Sequence, residues 1–319
     1  MPYSPIEYIK PTSRAMGRMT TILFRPFDLG KWFVLGFTAW LAALMDGGYS
    51  SGGNFQVGDS GDSSEPESFA EFIEPAKVFV EENLGWILPL AAVLVLLLVV
   101  VSVVCLWVSS RGKFMLLDNV VYNRALVVAP WRQYRGVGNS LFRWRLVFLL
   151  LVSLLLVAIA GGAAIYLVAT FDEGNIPASW FVVLVTGILA LGGTLLVAIY
   201  IAVLLEDFVV PLMYRDSLPA TAAWRQFIDL HNCQPGRFAL YFLWKAVLGM
   251  VTAMILVMAI LLTCCVAGIV LAIPYLGAVL LLPVTVFYRS LGPEFLRQFG
   301  GEYDLWHGSG DNYGFSPRP

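Results

Sequence analysis

Few residues in this sequence combine the type and the spacing that chemistry requires. Gly48-Tyr49-Ser50-Ser51-Gly52 matches the letters G-x-S-x-G, a motif that works where a strand turns sharply into a helix and exposes the serine hydroxyl. Here it follows an apolar run and opens a Gly/Ser-rich loop, so it reads as loop. His231 and His307 stand apart from any cysteine or carboxylate at ligand spacing. Cys264 and Cys265 sit in an apolar stretch with no basic neighbour to lower a thiol pKa, and read as small hydrophobes. The acids Asp59, Asp62, Glu65 and Glu67 lack the alternation and terminal glutamate of a calcium loop. No catalytic residue, metal or cofactor is expected, and the chain reads as a non-enzyme.

Two acids have more to say. Glu206 and Asp207 close a long apolar run, and ionisable groups in or beside a bilayer cost several kcal/mol on insertion scales. They either anchor at the interface, bind a cation, or pair with nearby arginines. Lys31 and Lys245, within a turn or two of the same face, can snorkel to water. No charge is expected at mid-depth, which disfavours a proton- or ion-coupled transporter.

The elements that must position these groups are membrane helices. Of 319 residues, 59% are hydrophobic and 13% charged, against about 25% charged in soluble domains. A bilayer core needs roughly 20 apolar residues per helix. The expected fold is an all-α transmembrane bundle with about six spans, at 29–46, 86–108, 146–170, 180–205, 238–262 and 267–289. Asp28 can cap the short first span, and Pro274 and Pro283 are kink candidates in the last. A non-spanning hairpin is the alternative for that final pair. Residues 1–305 form one membrane domain with an outer acidic loop at 47–84, and 306–319 form a flexible tail. The first residues lack the apolar core and cleavage site of a signal peptide.

With the N-terminus inside, 19 of the 20 Lys and Arg fall on the inner side and only Lys77 outside. The positive-inside rule therefore puts both termini in the cytoplasm of a cell (inner) membrane. An internal repeat is also legible. Trp131-Arg132-Gln133-Tyr134, Trp224-Arg225-Gln226-Phe227 and Leu296-Arg297-Gln298-Phe299 each follow an even-numbered span, after Tyr122, Tyr214 and Tyr288. Three helical hairpins with interfacial helices are the architecture this implies. Arg132, Arg225 and Arg297, with Trp131 and Trp224, become candidates for binding lipid or a membrane partner; topological anchoring is the alternative.

Arg14 and Arg18 belong to the same candidate set. Between Thr12 and Arg25 they form a basic stripe beside Ala15, Met16, Met19, Ile22 and Leu23, the pattern of a helix lying in the interface or of a packed cytoplasmic helix. Gly161-Gly162-Ala163-Ala164 and Gly192-Gly193-Thr194 suggest a close packing seam between the third and fourth spans.

The segment Phe24-Arg25-Pro26-Phe27-Asp28-Leu29-Gly30-Lys31-Trp32-Phe33, the loop around Trp131, and the closing Phe295-Leu296-Arg297-Gln298-Phe299-Gly300-Gly301-Glu302-Tyr303 resemble bacterial and archaeal polytopic membrane proteins of unknown function. More distantly they resemble the membrane domain fused to some glycerophosphodiester phosphodiesterases. The catalytic barrel of those fusions is absent, so no phosphodiesterase residue carries over. The resemblance implies a six-helix module that acts as a scaffold for lipid or a partner. A transporter or channel for a small or lipidic solute is the alternative reading, and a membrane enzyme the third. Anionic lipids on the cytoplasmic side, and a protein, are the expected partners; no nucleic acid is.

Overall fold

Long apolar runs with few breakers form helices, and among the described residues the chain has no strand. The computed structural model describes residues 7–45, 69–170, 178–263 and 266–306. Most of the acidic loop, the Gly48 to Gly52 motif, Cys264, Cys265, His307 and the tail beyond it lie outside the described residues. The elements are α1 (Ile9–Phe24), α2 (Leu29–Ala43), α3 (Phe69–Val121), α4 (Val128–Gln133), α5 (Arg135–Ala169) and α6 (Ala178–Leu204). A π-helical turn, Leu205–Val209, leads into α7 (Val210–Asp216), followed by α8 (Ala220–Cys233) and α9 (Pro235–Leu262). Three short pieces follow, α10 (Val266–Ala272), α11 (Pro274–Leu280) and α12 (Leu282–Leu296).

Four stretches are long and apolar enough to cross a membrane: Gly85–Val121, Arg135–Ala169, Ser179–Asp216 and Pro235–Leu262. A fifth qualifies if Pro274–Leu280 and Leu282–Phe299, bent by 65°, count as one broken span. The bend falls where the prolines predict it. Pro274 and Pro283 each lack an N–H and sit in the first turn of α11 and α12. At 15 residues α2 is the short apolar helix, and Asp28 caps it by accepting from the Gly30 and Lys31 backbone N–H groups.

The core lies at one end of the bundle. Residues 88–102 of α3 are exposed on every face, whereas every residue from 109 to 121 is buried. The same change occurs from α6, mostly exposed, to 207–214, wholly buried, and again at 290–296. The exposed halves are Leu, Val and Ile, so their solvent is hydrocarbon rather than water. The expected second span ended at Val108, yet α3 runs 13 residues further without a break. Arg111, Lys113 and Asp118 therefore belong to a buried helix end, not to a loop.

Close helix contacts also gather at this end. A Cβ added at Gly161, Gly162, Gly192 or Gly193 would meet nothing within 4 Å, so these glycines do not form the expected seam; Ala163 instead lies 3.8 Å from where a Cβ on Gly187 of α6 would be. The tight glycines include Gly112, where a Cβ would lie 2.7 Å from the Ala42 nitrogen, and Gly292, where it would lie 2.8 Å from the Asp207 Cα. Gly112 lets α2 lie against the buried end of α3; Gly292 lets α12 touch the π-turn.

Helix α1 departs from the interfacial expectation. It starts at Ile9, and it buries Ala15, Ile22 and Leu23 in the core beside α12. Those three residues of its apolar stripe face protein, as in the packed-helix alternative, while Met16 stays exposed.

Candidate functional site

The π-turn sets the site. Pro211 cannot donate to the Asp207 carbonyl four residues back, and its ring would crowd that carbonyl in a regular helix. The chain widens instead, and the Val210 N–H reaches the Leu205 carbonyl. Such π-bulges are frequent at functional sites. This one turns Glu206 and Asp207 onto two groups of partners.

Glu206 forms an ion pair with Lys113 of α3, whose side chain is only 2% exposed. Arg289 of α12 lies 3.7 Å from the same carboxylate oxygen and donates to the Lys113 carbonyl at 2.9 Å. One charged residue from each of three helices thus meets at a point. Asp207 accepts from Lys245 at 2.6 Å and from the Tyr241 hydroxyl at 2.8 Å, both on α9. Lysines supply the charges nearest to these two acids, with Arg289 farther off. Lys245 is no free interfacial anchor. Neither is Lys31, which donates to the Ile22 carbonyl at 2.7 Å and also bonds Asn123.

Two cavities flank the Lys113–Glu206 pair and share both residues. The first, about 330 Å³, lies among α2, α3, α9 and α12, with Lys245, Asp207 and Arg289 at its polar base and Leu256, Leu281 and Val284 on its apolar wall. The second, about 390 Å³, lies among α3, α5 and α6 and adds Arg145, which donates to Ser109 at 3.2 Å. Across both, four cations face two carboxylates. The excess is positive, in a setting where an opposite charge is worth far more than in water.

A second buried cluster centres on Asp118, whose side chain is fully buried. It accepts from the Tyr134 and Tyr214 hydroxyls at 3.0 Å each and from Arg124 at 2.7 and 3.0 Å. Burial, with the Asp118 carboxylate beside it, pushes the Tyr134 phenol up to about 12. Among the described residues, no three His, Cys, Asp or Glu are grouped to hold a metal ion.

The residues singled out from the sequence fall in varied places. Arg132 on α4 and Arg225 on α8 are exposed, while the aromatics two positions on, Tyr134 and Phe227, are buried. Arg297 departs from this pattern and bridges to Asp304 at 2.9 Å. Tyr122, Tyr214 and Tyr288 likewise differ: the first is exposed, the second bonds Asp118, the third bonds Thr252. Trp131 packs edge-on to Trp107 under the Arg111 guanidinium, and Trp224 stacks on Trp144. Arg18 pairs with the buried Glu294 and lies 3.7 Å from the Trp306 ring centre, whereas Arg14 on the same helix is half-buried. Lys113, Arg289, Tyr241 and Asp118 were missed as site residues. The signal for the α3 pair was the apolar run Phe114-Met115-Leu116-Leu117 straight after Lys113, which continues a helix rather than a loop.

Residues 8–296 match the model of a family of unknown function, DUF7544. The chain belongs to that family. No curated protein and no solved structure matches it. Membership in DUF7544 carries no activity with it.

Proposed function

We propose that this DUF7544 chain is a non-enzymatic membrane module that binds lipid at the charged end of its bundle. The observation that carries the reading is the pair of cavities on either flank of Lys113 and Glu206, each joining a charged base to apolar helix walls. Volumes of 330 and 390 Å³ lie in the range of ligand pockets, and a polar base under an apolar wall suits an amphiphile. Exposed Arg132 and Arg225 fit the same reading, since a basic residue near an anionic surface is worth about 1 kcal/mol. Arg297, tied to Asp304, contributes less.

Purification in a mild non-ionic detergent, followed by lipid extraction and mass spectrometry, tests this. Phospholipid is expected at about one molecule per cavity-bearing chain, on the scale of a single ligand site. A preparation that is folded and free of stoichiometric lipid would sink the reading. Transport is the second reading, favoured by one ion pair separating two cavities and by the broken α10–α11–α12 segment. Solute flux into reconstituted vesicles would move it to first place.

The charged end faces the cytoplasm of the inner membrane in this proposal, because the basic residues concentrate there. Cys233 is exposed at the end of α8, and Gly136 has open space around an added Cβ. An impermeant maleimide should therefore leave Cys233 and a Gly136→Cys variant unmodified in intact cells and label both in inverted vesicles. Labelling from outside would reverse the orientation.

A further inference from the structure

The first cavity has a property that lipid binding in general does not explain. Its charged groups are Lys113 from α3, Glu206 and Asp207 from the π-turn, Lys245 from α9 and Arg289 from α12. Asp207 is taken up by Lys245 and Tyr241, and Glu206 by Lys113. Arg289 is left with the longest ion contact of the set, at 3.7 Å, and its buried Nε–H has no partner among the described residues. A buried guanidinium N–H without an acceptor is costly. An oxyanion in the cavity would supply that acceptor and balance the surplus charge, and guanidinium suits phosphate oxygens in particular, through paired N–H donors.

The remaining walls extend the inference. Leu256, Leu281 and Val284 rise from the charged base along α9 and α12, and α9 beyond Leu256 is exposed to the hydrocarbon solvent. A phosphate at Arg289 would thus have an apolar channel at its back. We infer that this cavity binds a phosphate-type oxyanion with Arg289 as its principal contact, the phosphate being that of an anionic phospholipid whose acyl chains leave along α9. The inference rests on the lipid-binding reading and gives that site a ligand class.

The test uses full-length protein in non-ionic detergent, stripped of lipid and titrated separately with dioctanoyl phosphatidylglycerol, dioctanoyl phosphatidylcholine and inorganic phosphate, with bound ligand counted by native mass spectrometry. Wild type should bind phosphatidylglycerol in preference to phosphatidylcholine, and Arg289→Gln should lose at least about tenfold in affinity, the scale of one charge-assisted hydrogen bond. Val284→Phe fills the apolar wall without touching a charge and should also weaken binding, so it decides the matter if Arg289→Gln does not fold. Tight phosphatidylglycerol with weak inorganic phosphate assigns a headgroup. The reverse order keeps the oxyanion site and assigns a soluble ligand. Equal phosphatidylglycerol affinity in wild type and both variants overturns the site while leaving lipid binding elsewhere intact. Absence of any bound lipid or phosphate in wild type overturns both.

Discussion

Arg18→Ala is expected to destabilise the protein by about 3–5 kcal/mol, the usual cost of stripping one partner from a buried ion pair. Glu294 is fully buried, Arg18 is 11% exposed, and the second carboxylate oxygen of Glu294 has no partner among the described residues. Removing the guanidinium leaves a carboxylate in the core with its counter-charge gone, and it also uncovers the Trp306 ring. The pair fastens α1 to α12, so the loss is read as undocking of the N-terminal helix. Unfolding in mixed micelles should give the free-energy difference, with Arg14→Ala as the reference at within about 0.5 kcal/mol of wild type. Replacing both partners, Arg18→Met with Glu294→Met, should recover most of the loss, because buried pairs exchange for hydrophobes at little net cost. Equal effects of Arg18→Ala and Arg14→Ala would return Arg18 to the role of a lipid-facing cation.

Helix content and the four long apolar stretches were legible in the sequence because hydropathy alone decides them. The α2 cap at Asp28 and the breaks at Pro274 and Pro283 were legible for a similar reason: each is a local rule about one residue's donors and acceptors. What escaped was the place where polar and apolar rules conflict. Arg111, Lys113 and Asp118 look like loop residues by charge, and only their partners on other helices make burial affordable. Several of those partners are far away in sequence; Lys113 and Glu206 are 93 residues apart, and Asp118 and Tyr214 are 96. The small-residue pattern misled in the opposite sense. Gly161 and Gly192 look like contact glycines by local composition, but close approach depends on which helix arrives opposite, and it arrives at Gly112 and Gly292. Glu206 and Asp207 were recognisable as unusual, since two acids at the end of an apolar run always raise the question of a partner. The π-turn that aims them was not recognisable, although Pro211 four residues after Asp207 was its cause.

Asp118→Ala is expected to cost about 3–5 kcal/mol as well, by a different route. Arg124, 36% exposed, can turn to water when its partner goes, so its share of the loss is small. The larger share falls on the Tyr134 and Tyr214 hydroxyls, both held at 3.0 Å on one carboxylate oxygen in the core. Each orphaned hydroxyl costs roughly 1–3 kcal/mol. Asp118→Asn keeps an acceptor for the tyrosines and should lose less. Tyr214→Phe removes one donor and leaves Asp118 with the others, so about 1 kcal/mol is expected. Combining Asp118→Ala with Tyr214→Phe should cost clearly less than the sum of the two, because the second change removes a group the first has stranded. Alkaline titration adds an independent readout. Tyr134 is held neutral up to about 12, chiefly by burial, against an ordinary value of 10. Its contribution is complete below pH 10 and falls as pH rises through 12, so Tyr134→Phe should flatten that part of the stability profile. Strict additivity of the double variant, with an unchanged alkaline limb, would mean that Asp118 and its tyrosines do not act as one unit.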